Sequence, residues 1–410
     1  MPLKRVVITG MGAISPFGRG VDTLMNALLQ GESGVRTVPE LGEIGGIRTR
    51  VAALVPGVDP GEIPRKYRRS MSAMSVFAAL AAGDAIAQAG LSGEQVRGGR
   101  MGVSIGSTIG SPHTTQAFFD DFRTDNSVER MKSGVFFHIM NHSCAANVSH
   151  MFGITGRTVA PSAACSTGSL AVGYGAEMIS AGKQDFMACG GADEFHPLTA
   201  ATFDIMNAAS VRFNESPGKT PRPFDRDRDG VVCAEGSGIL LLESLDSALR
   251  RGAEILAEII GFASTSDPES IANPNAGNIA HCMRQALLDA GIDAEGVDYV
   301  NAHATGTELG DIAESEAIRS VFGDRVPTSS LKGNLGHAMA ASGALELAAS
   351  IEMIRREILL PTHNLDHVDP LCASVTHVRE VTRRRVDTVM KNNFALGGVN
   401  SSLVLRRFRQ

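Results

Sequence analysis

One cysteine stands out by its setting. Ser162-Ala163-Ala164-Cys165-Ser166-Thr167-Gly168-Ser169-Leu170 lies between a run with strand character (Gly156 to Ala160) and a run with helix character (Gly168 to Ile179). A thiol at a strand-to-helix turn meets unpaired backbone N–H groups and the positive end of the helix dipole. Both favour the thiolate, which is the nucleophilic form. The Ser, Gly and Ala neighbours leave room for a carbonyl to approach, and the nearby N–H groups can hold a developing oxyanion. A buried, inert cysteine fits this segment equally well. The decision rests on its companions.

Two further loops have the same strand–loop–helix grammar. Asn301-Ala302-His303-Ala304-Thr305-Gly306-Thr307-Glu308-Leu309-Gly310-Asp311 sets a histidine at a strand's carboxyl end, with two hydroxyls beside it. Ser329-Ser330-Leu331-Lys332-Gly333-Asn334-Leu335-Gly336-His337-Ala338 adds a lysine and a second histidine five residues later. Ligand sites of α/β sheets form at such strand ends. Taken singly, His303 reads as a core or capping histidine, Lys332 as a solvated lysine and His337 as a helix-start residue. Together, Cys plus two His suits acyl transfer with carbanion chemistry. The thiolate carries an acyl group, and two imidazole N–H donors hold an enolate oxygen.

The elements around these loops alternate short apolar runs with longer alanine-rich ones, the α/β signature. Strands are expected from Val6–Thr9 through Met101–Ile105, Thr158–Ala160, Phe186–Gly190, Gly238–Glu243, Ala257–Phe262, Tyr299–Ala302, Val326–Ser329 and Val375–His377 to Thr388–Asn392 and Ser402–Arg406. Helices are expected at Val21–Gln30, Met71–Ala89, Cys144–Met151, Gly168–Ala181, Ser244–Arg251, Ala276–Ala290, Asp311–Val321 and Ala341–Arg356. A weak internal repeat pairs Lys4–Gly12 with Ile255–Ser266, and the Cys165 turn with Val389–Gly398. The seam falls near 250–256, giving a half 1–252 with the cysteine and a half 253–410 with both histidines and the lysine. Gly10-Met11-Gly12 lacks the third glycine and the later acidic residue of a dinucleotide fingerprint, so a structural glycine turn is expected there.

Composition excludes several classes. With 410 residues, 43% hydrophobic content, 45 glycines and no tryptophan, the chain is long enough for two densely packed domains. A net charge of −6 argues against nucleic-acid binding. No apolar run reaches the ~20 residues that span a bilayer. The start, Met1-Pro2-Leu3-Lys4-Arg5, enters a strand pattern at once with no secretory signal. The six cysteines show no metal spacing, so free thiols in a reducing cytoplasm are expected and no metal site is.

In combination these segments resemble the elongating, Cys-His-His branch of the β-ketoacyl-acyl-carrier-protein synthases, in the thiolase-like superfamily. The likeness runs nearly end to end. It takes in Val7 to Gly18, the Cys165 segment, Pro223-Phe224-Asp225-Arg226-Asp227-Arg228-Asp229-Gly230 with Ala234-Glu235-Gly236-Ser237-Gly238, both histidine loops, Asn364-Leu365-Asp366 and the Asn393–Asn400 turn. It implies an α/β, duplicated five-layer αβαβα architecture and a decarboxylative Claisen condensation of a Cys165-bound acyl group with malonyl-acyl carrier protein.

The resemblance also implies roles. Cys165 is the nucleophile, His303 and His337 hold the malonyl thioester carbonyl, and Lys332 sets the electrostatics around His337. Thr305 and Thr307 bind the phosphopantetheine arm, Asp311 and Glu314 support the histidine loop, and the N–H groups of Cys165 and Leu396 form the oxyanion hole. Phe203, Phe394 and Leu396 border the substrate near the thiol. Ile109 sits in the acyl pocket, which the segment Met131–Met140 closes across a homodimer, or across a heterodimer with a homologous subunit. No cofactor is implied beyond the carrier's phosphopantetheine. Arg65-Lys66-Tyr67-Arg68-Arg69, the strongest basic cluster, is expected to dock the acidic carrier, although a solvated helix start has the same composition.

The chain departs from the family in places. Phe394-Ala395-Leu396-Gly397-Gly398 stands where Phe-Gly-Phe-Gly-Gly is usual, so a smaller, non-planar residue occupies the gate of the acyl pocket. Ala304 and Gly306 replace the usual glycine and serine. These changes point toward an unusual acyl chain, of polyene or polyketide type. A non-catalytic chain-length-factor-like partner and a coenzyme A-dependent thiolase-like enzyme are the alternatives. The first would have lost the cysteine or a histidine.

Overall fold

The computed structural model describes residues 3–129 and 131–409; Met1 and Pro2, part of the N-terminal reading above, lie outside them. The first half contains β1 (Val6–Ser15), α1 (Ala73–Gln88), β2 (Met101–Gly106), α2 (Ser143–Phe152), β3 (Thr158–Val159), α3 (Thr167–Ser180), β4 (Phe186–Asp193) and β5 (Gly236–Ser244). The second repeats the series as β6 (Ala257–Ser266), α4 (Ala276–Ala290), β7 (Tyr299–Asn301), α5 (Glu308–Phe322), β8 (Pro327–Ser329), α6 (Ser342–Arg356), β9 (Thr388–Phe394) and β10 (Val399–Arg406).

Strand order β3-β2-β4-β5-β1 in one half answers β8-β7-β9-β10-β6 in the other. In each, the first two pairs outward from β1 or β6 are antiparallel and the next two are parallel. The halves join where β1 pairs antiparallel with β6, Val6 opposite Ile259. Helices α1 and α2 cover one outer face, α4 and α5 the other, and α3 and α6 pack together between the halves. The result is a duplicated five-layer α/β architecture. Strands covered on both faces need apolar residues at every position, and β1, β4 and β5 are buried throughout.

The structure corrects two expectations. Gly10-Met11-Gly12 is no turn; it lies inside β1, which runs unbroken to Ser15. A Cβ on Gly10 would stand 2.1 Å from the Ala85 carbonyl oxygen, and one on Gly12 1.9 Å from that of Ala81, so the glycines let α1 lie directly on the strand. The repeat of the Cys165 turn is also misassigned: by sheet position β9 answers β4, whereas β3–α3 answers β8–α6. Three sizeable helices also escaped the sequence reading: Pro112–Asp125, Ser133–Ile139 and Pro197–Ile205. The first two have no buried residue, so they carry no core-facing stripe for periodicity to detect.

Candidate active site

Cys165 sits in a 3₁₀ turn, Ala164–Ser166, that feeds α3. Ala164 takes φ 43°, a left-handed conformation unusual for a side-chain-bearing residue, and this sharp turn sets the thiol at the inner end of a cavity. The Ser166 hydroxyl ties the turn to the β9–β10 hairpin, donating to the carbonyls of Asn393 (3.1 Å) and Val399 (2.8 Å). That hairpin carries Leu396, whose N–H, with that of Cys165 itself, hydrogen-bonds the sulfur. Burial pushes the thiol up to about 11, outweighing the opposing charge of Lys332 and the two N–H groups. Desolvation thus exceeds the effects that favour the thiolate at this turn.

His303 follows β7. Glu314 on α5 fixes its loop by accepting the backbone N–H groups of His303 (2.8 Å) and Ala304 (2.7 Å). Asp311 accepts from Gly306 (3.1 Å) and from Phe224 (2.7 Å), and burial pushes its carboxyl up to about 7. His337 precedes α6, and its Nδ1 lies 2.9 Å from Ser342 Oγ while its buried Nε2 has no hydrogen-bond partner among the described residues. The two rings meet edge to face at 5.3 Å, and Cys165 Sγ with one nitrogen of each ring lies inside a 4.8 Å cluster. Burial, together with the charge of Lys332, holds both imidazoles well below their usual range, so both are neutral.

Partners choose the tautomers. The Asn393 amide, 3.4 Å away, faces His303 Nδ1, and Ser342 faces His337 Nδ1. The Asn393 oxygen accepts from Ser169 Oγ at 2.5 Å, which turns its NH₂ to His303 and leaves that ring's proton on Nε2; the Ser342 hydroxyl, when it donates, does the same for His337. Lys332, fully buried, bonds Glu346 Oε1 at 2.6 Å.

A cavity of about 390 Å³ opens onto Cys165, His303 and His337. Phe203, Thr305, Thr307, Phe394 and Leu396 border it, and the two threonine hydroxyls are 3.1 Å apart. Ile109 does not reach it. Ile109 is 55% exposed and borders a second, smaller cavity beyond Met339, because the helices that follow it extend over the surface of this single chain. Within Met131–Met140, residues 133–139 form one of those surface helices and border neither of these two cavities. Arg65, Lys66, Arg68 and Arg69 surround a short surface helix, Arg65–Arg68, and none ion-pairs with a described residue. Sequence reasoning missed Ser342, Asn393, Glu346 and Lys391. A charged residue inside a run with strand character, directly after Val389 and Met390, was the available signal for Lys391.

Residues 3–248 match the β-ketoacyl synthase N-terminal domain, and residues 256–366 the β-ketoacyl synthase C-terminal domain. The chain is 36% identical over 411 residues to 3-oxoacyl-[acyl-carrier-protein] synthase 1 of Haemophilus influenzae, covering 99% of this chain and 100% of that one. A crystal structure of a β-ketoacyl synthase from Burkholderia phymatum superposes with a TM-score of 0.96 at 44% identity, over 99% of this chain and 100% of the other. The AntDE:AntF complex, a type II PKS acyl-carrier protein with its ketosynthase bound to the hexaketide, gives a TM-score of 0.91 at 31% identity, again over 99% and 100%.

Proposed function

Because this chain belongs to the β-ketoacyl synthase family, we propose that its cavity condenses a Cys165-bound acyl group with malonyl-acyl carrier protein. The protein is an acyltransferase that forms carbon–carbon bonds, in fatty-acid or polyketide synthesis. One observation carries the assignment of roles: a thiol, two neutral imidazoles and two backbone N–H groups converge on one point, with His337 Nε2 unpaired.

In the first half-reaction the Cys165 thiol attacks the acyl thioester. The thiol proton passes to the departing sulfur, and the carrier leaves as a thiol. The tetrahedral oxygen accepts from the N–H groups of Cys165 and Leu396. In the second, the malonyl thioester oxygen accepts from Nε2–H of His303 and of His337. Its carboxylate departs as CO₂, and the two donors hold the enolate. Each donor of this kind contributes roughly 10²–10³ in rate. The enolate carbon then attacks the acyl-Cys165 carbonyl, releasing β-ketoacyl carrier and the Cys165 thiolate, which takes a proton from water to restore the thiol. No resident cofactor enters this scheme; phosphopantetheine arrives with the substrate and runs past Thr305 and Thr307.

The unpaired basic group Arg65, Lys66, Arg68 and Arg69 docks the acidic carrier. The exposed Phe119 and Phe136, at 55% and 50%, support a second copy of the chain packing there and closing the acyl pocket over Ile109. Leu396, smaller than phenylalanine, favours a wide or rigid acyl group, of polyene or polyketide type. Free, buried cysteines suit a reducing compartment.

Intact-mass analysis after incubation with a panel of acyl carriers tests the scheme. One acyl adduct on the parent, absent from Cys165→Ala, is expected, with unsaturated or oxygenated chains preferred. An adduct that survives in Cys165→Ala overturns the nucleophile. Equal loading of all saturated chains overturns the acyl preference.

A further inference from the structure

Strand β9 is buried from end to end, hydrogen-bonded between β7 and β10, yet it carries a lysine at its centre. An ammonium there has no water to hold its charge and needs protein partners. The buried Nζ of Lys391 lies 2.9 Å from Glu346 Oε2 and donates to the Asn392 carbonyl. The other oxygen of that carboxylate, Oε1, accepts from Lys332 Nζ at 2.6 Å. Two ammonium groups therefore share one carboxylate. The trio holds one uncompensated positive charge where Lys332 and Glu346 alone would be neutral.

The other titratable groups facing this trio are Glu314 from α5, Tyr299 from β7, His303 and His337 from the two loops, and Cys165 before α3, which faces Lys332. Glu314 is already engaged by the N–H groups of His303 and Ala304. Neither Lys391 nor Glu346 borders the cavity, so both act through other groups.

We propose that Lys391 is a positioning residue for the condensation: it occupies one oxygen of Glu346, leaves Lys332 charged at the other, and so keeps His303 and His337 as neutral N–H donors. This rests on the reaction proposed above. A positive charge near an imidazole disfavours the imidazolium, and both rings feel Lys332 and Lys391 in that sense. Removing Lys391 therefore raises both histidine pKa values and moves the acid limb of activity to higher pH. On the alkaline side burial brings Lys391 itself down to about 8, so its charge is lost as pH rises through that value.

The test compares Lys391→Met, Lys391→Gln and Lys391→Arg with the parent. Two readouts are taken across pH: malonyl-carrier decarboxylation, and the ring resonances of His303 and His337 by NMR. In the neutral variants both readouts should move to higher pH together, by about one unit for a unit charge at protein-like dielectric. Lys391→Arg should keep the parent's acid limb. A folded neutral variant with parent-like titration, or an equal shift in Lys391→Arg, overturns the proposal. If neither neutral variant folds, Lys391→Arg decides alone. Guanidinium stays charged, so both ring titrations and the acid limb should stay where the parent has them, and a shift of either overturns the proposal. A parent that fails to decarboxylate malonyl carrier sinks the catalytic reading, and the NMR arm still tests the charge.

Discussion

Removing one hydroxyl, Ser342→Ala, should separate the two half-reactions. The Ser342 Oγ is 2.9 Å from His337 Nδ1 and makes no other side-chain contact with the active site. It does not cap α6, so the helix start survives its loss. Without it, a buried ring nitrogen is left unpaired, and nothing selects the tautomer with the proton on Nε2. A net hydrogen bond is worth about 0.5–1.5 kcal/mol, and leaving its buried partner unsatisfied costs about 1–3 kcal/mol. Taking about 1.5 kcal/mol as lost from the enolate-stabilising geometry, decarboxylation of malonyl carrier should fall about tenfold. Acyl loading of Cys165 relies on the Cys165 and Leu396 N–H groups instead and should change by less than about twofold. Single-turnover loading by mass spectrometry and CO₂ release from malonyl carrier measure the steps separately. Equal losses in both steps, or no loss in CO₂ release, would refute the assignment of His337 as an oriented donor.

Three further expectations follow from particular contacts. A Cβ on Gly168 would stand 2.4 Å from the backbone oxygen of Ala340, so Gly168→Ala should destabilise the fold by about 1–3 kcal/mol; an unchanged melting temperature would contradict the close approach of α3 to that turn. Both catalytic imidazoles are held well below their usual range, so decarboxylation should persist below pH ~6.5, where an ordinary histidine protonates; an acid limb centred there would show that a catalytic ring has a normal pKa. Arg68→Glu with Arg69→Glu should raise the KM for carrier-bound malonate about tenfold, with a steeper effect at low salt, while the KM for malonyl-pantetheine stays put; an unchanged carrier KM removes that surface from docking.

The residues legible in the sequence share one circumstance: each interrupts the boundary between an apolar run and an alanine-rich one. Cys165, His303, Lys332 and His337 stand out because a polar, glycine-containing loop has no reason to be buried unless something there is used. Lys391 and Ser342 stayed hidden because one lies inside a strand and the other begins a helix. Lys391 takes its meaning from Glu346 on another layer, and Ser342 from a turn that brings the His337 ring back onto it. Glycine misled for a related reason. Gly10 and Gly12 serve a close helix approach rather than a turn, and only Ala81 and Ala85 on α1 distinguish the two uses. Ile109 was named from the family resemblance, and in this chain it borders the smaller cavity and not the one that holds Cys165.

The true internal repeat was present in the sequence and shows how the site arises. Ala163-Ala164-Cys165-Ser166-Thr167-Gly168-Ser169-Leu170 answers Ala338-Met339-Ala340-Ala341-Ser342-Gly343-Ala344-Leu345 position by position. Both segments turn on a non-glycine residue in the left-handed region, Ala164 at φ 43° and Met339 at φ 44°. Each then enters a central helix through a glycine that the opposite segment crowds: Gly168 beneath the Ala340 carbonyl, Gly343 against Ser169. The duplication therefore points two equivalent turns at each other, and of the matched pair Cys165 borders the cavity while Ala340 does not. The chain keeps the thiol on one turn and places Ala340 at its counterpart. Three residues before Ala340, where the first turn has Ser162, the second has His337. Chemistry here comes from breaking the symmetry of a symmetric scaffold: the fold brings the strand ends together, and unlike side chains at like positions divide the roles of nucleophile and donor.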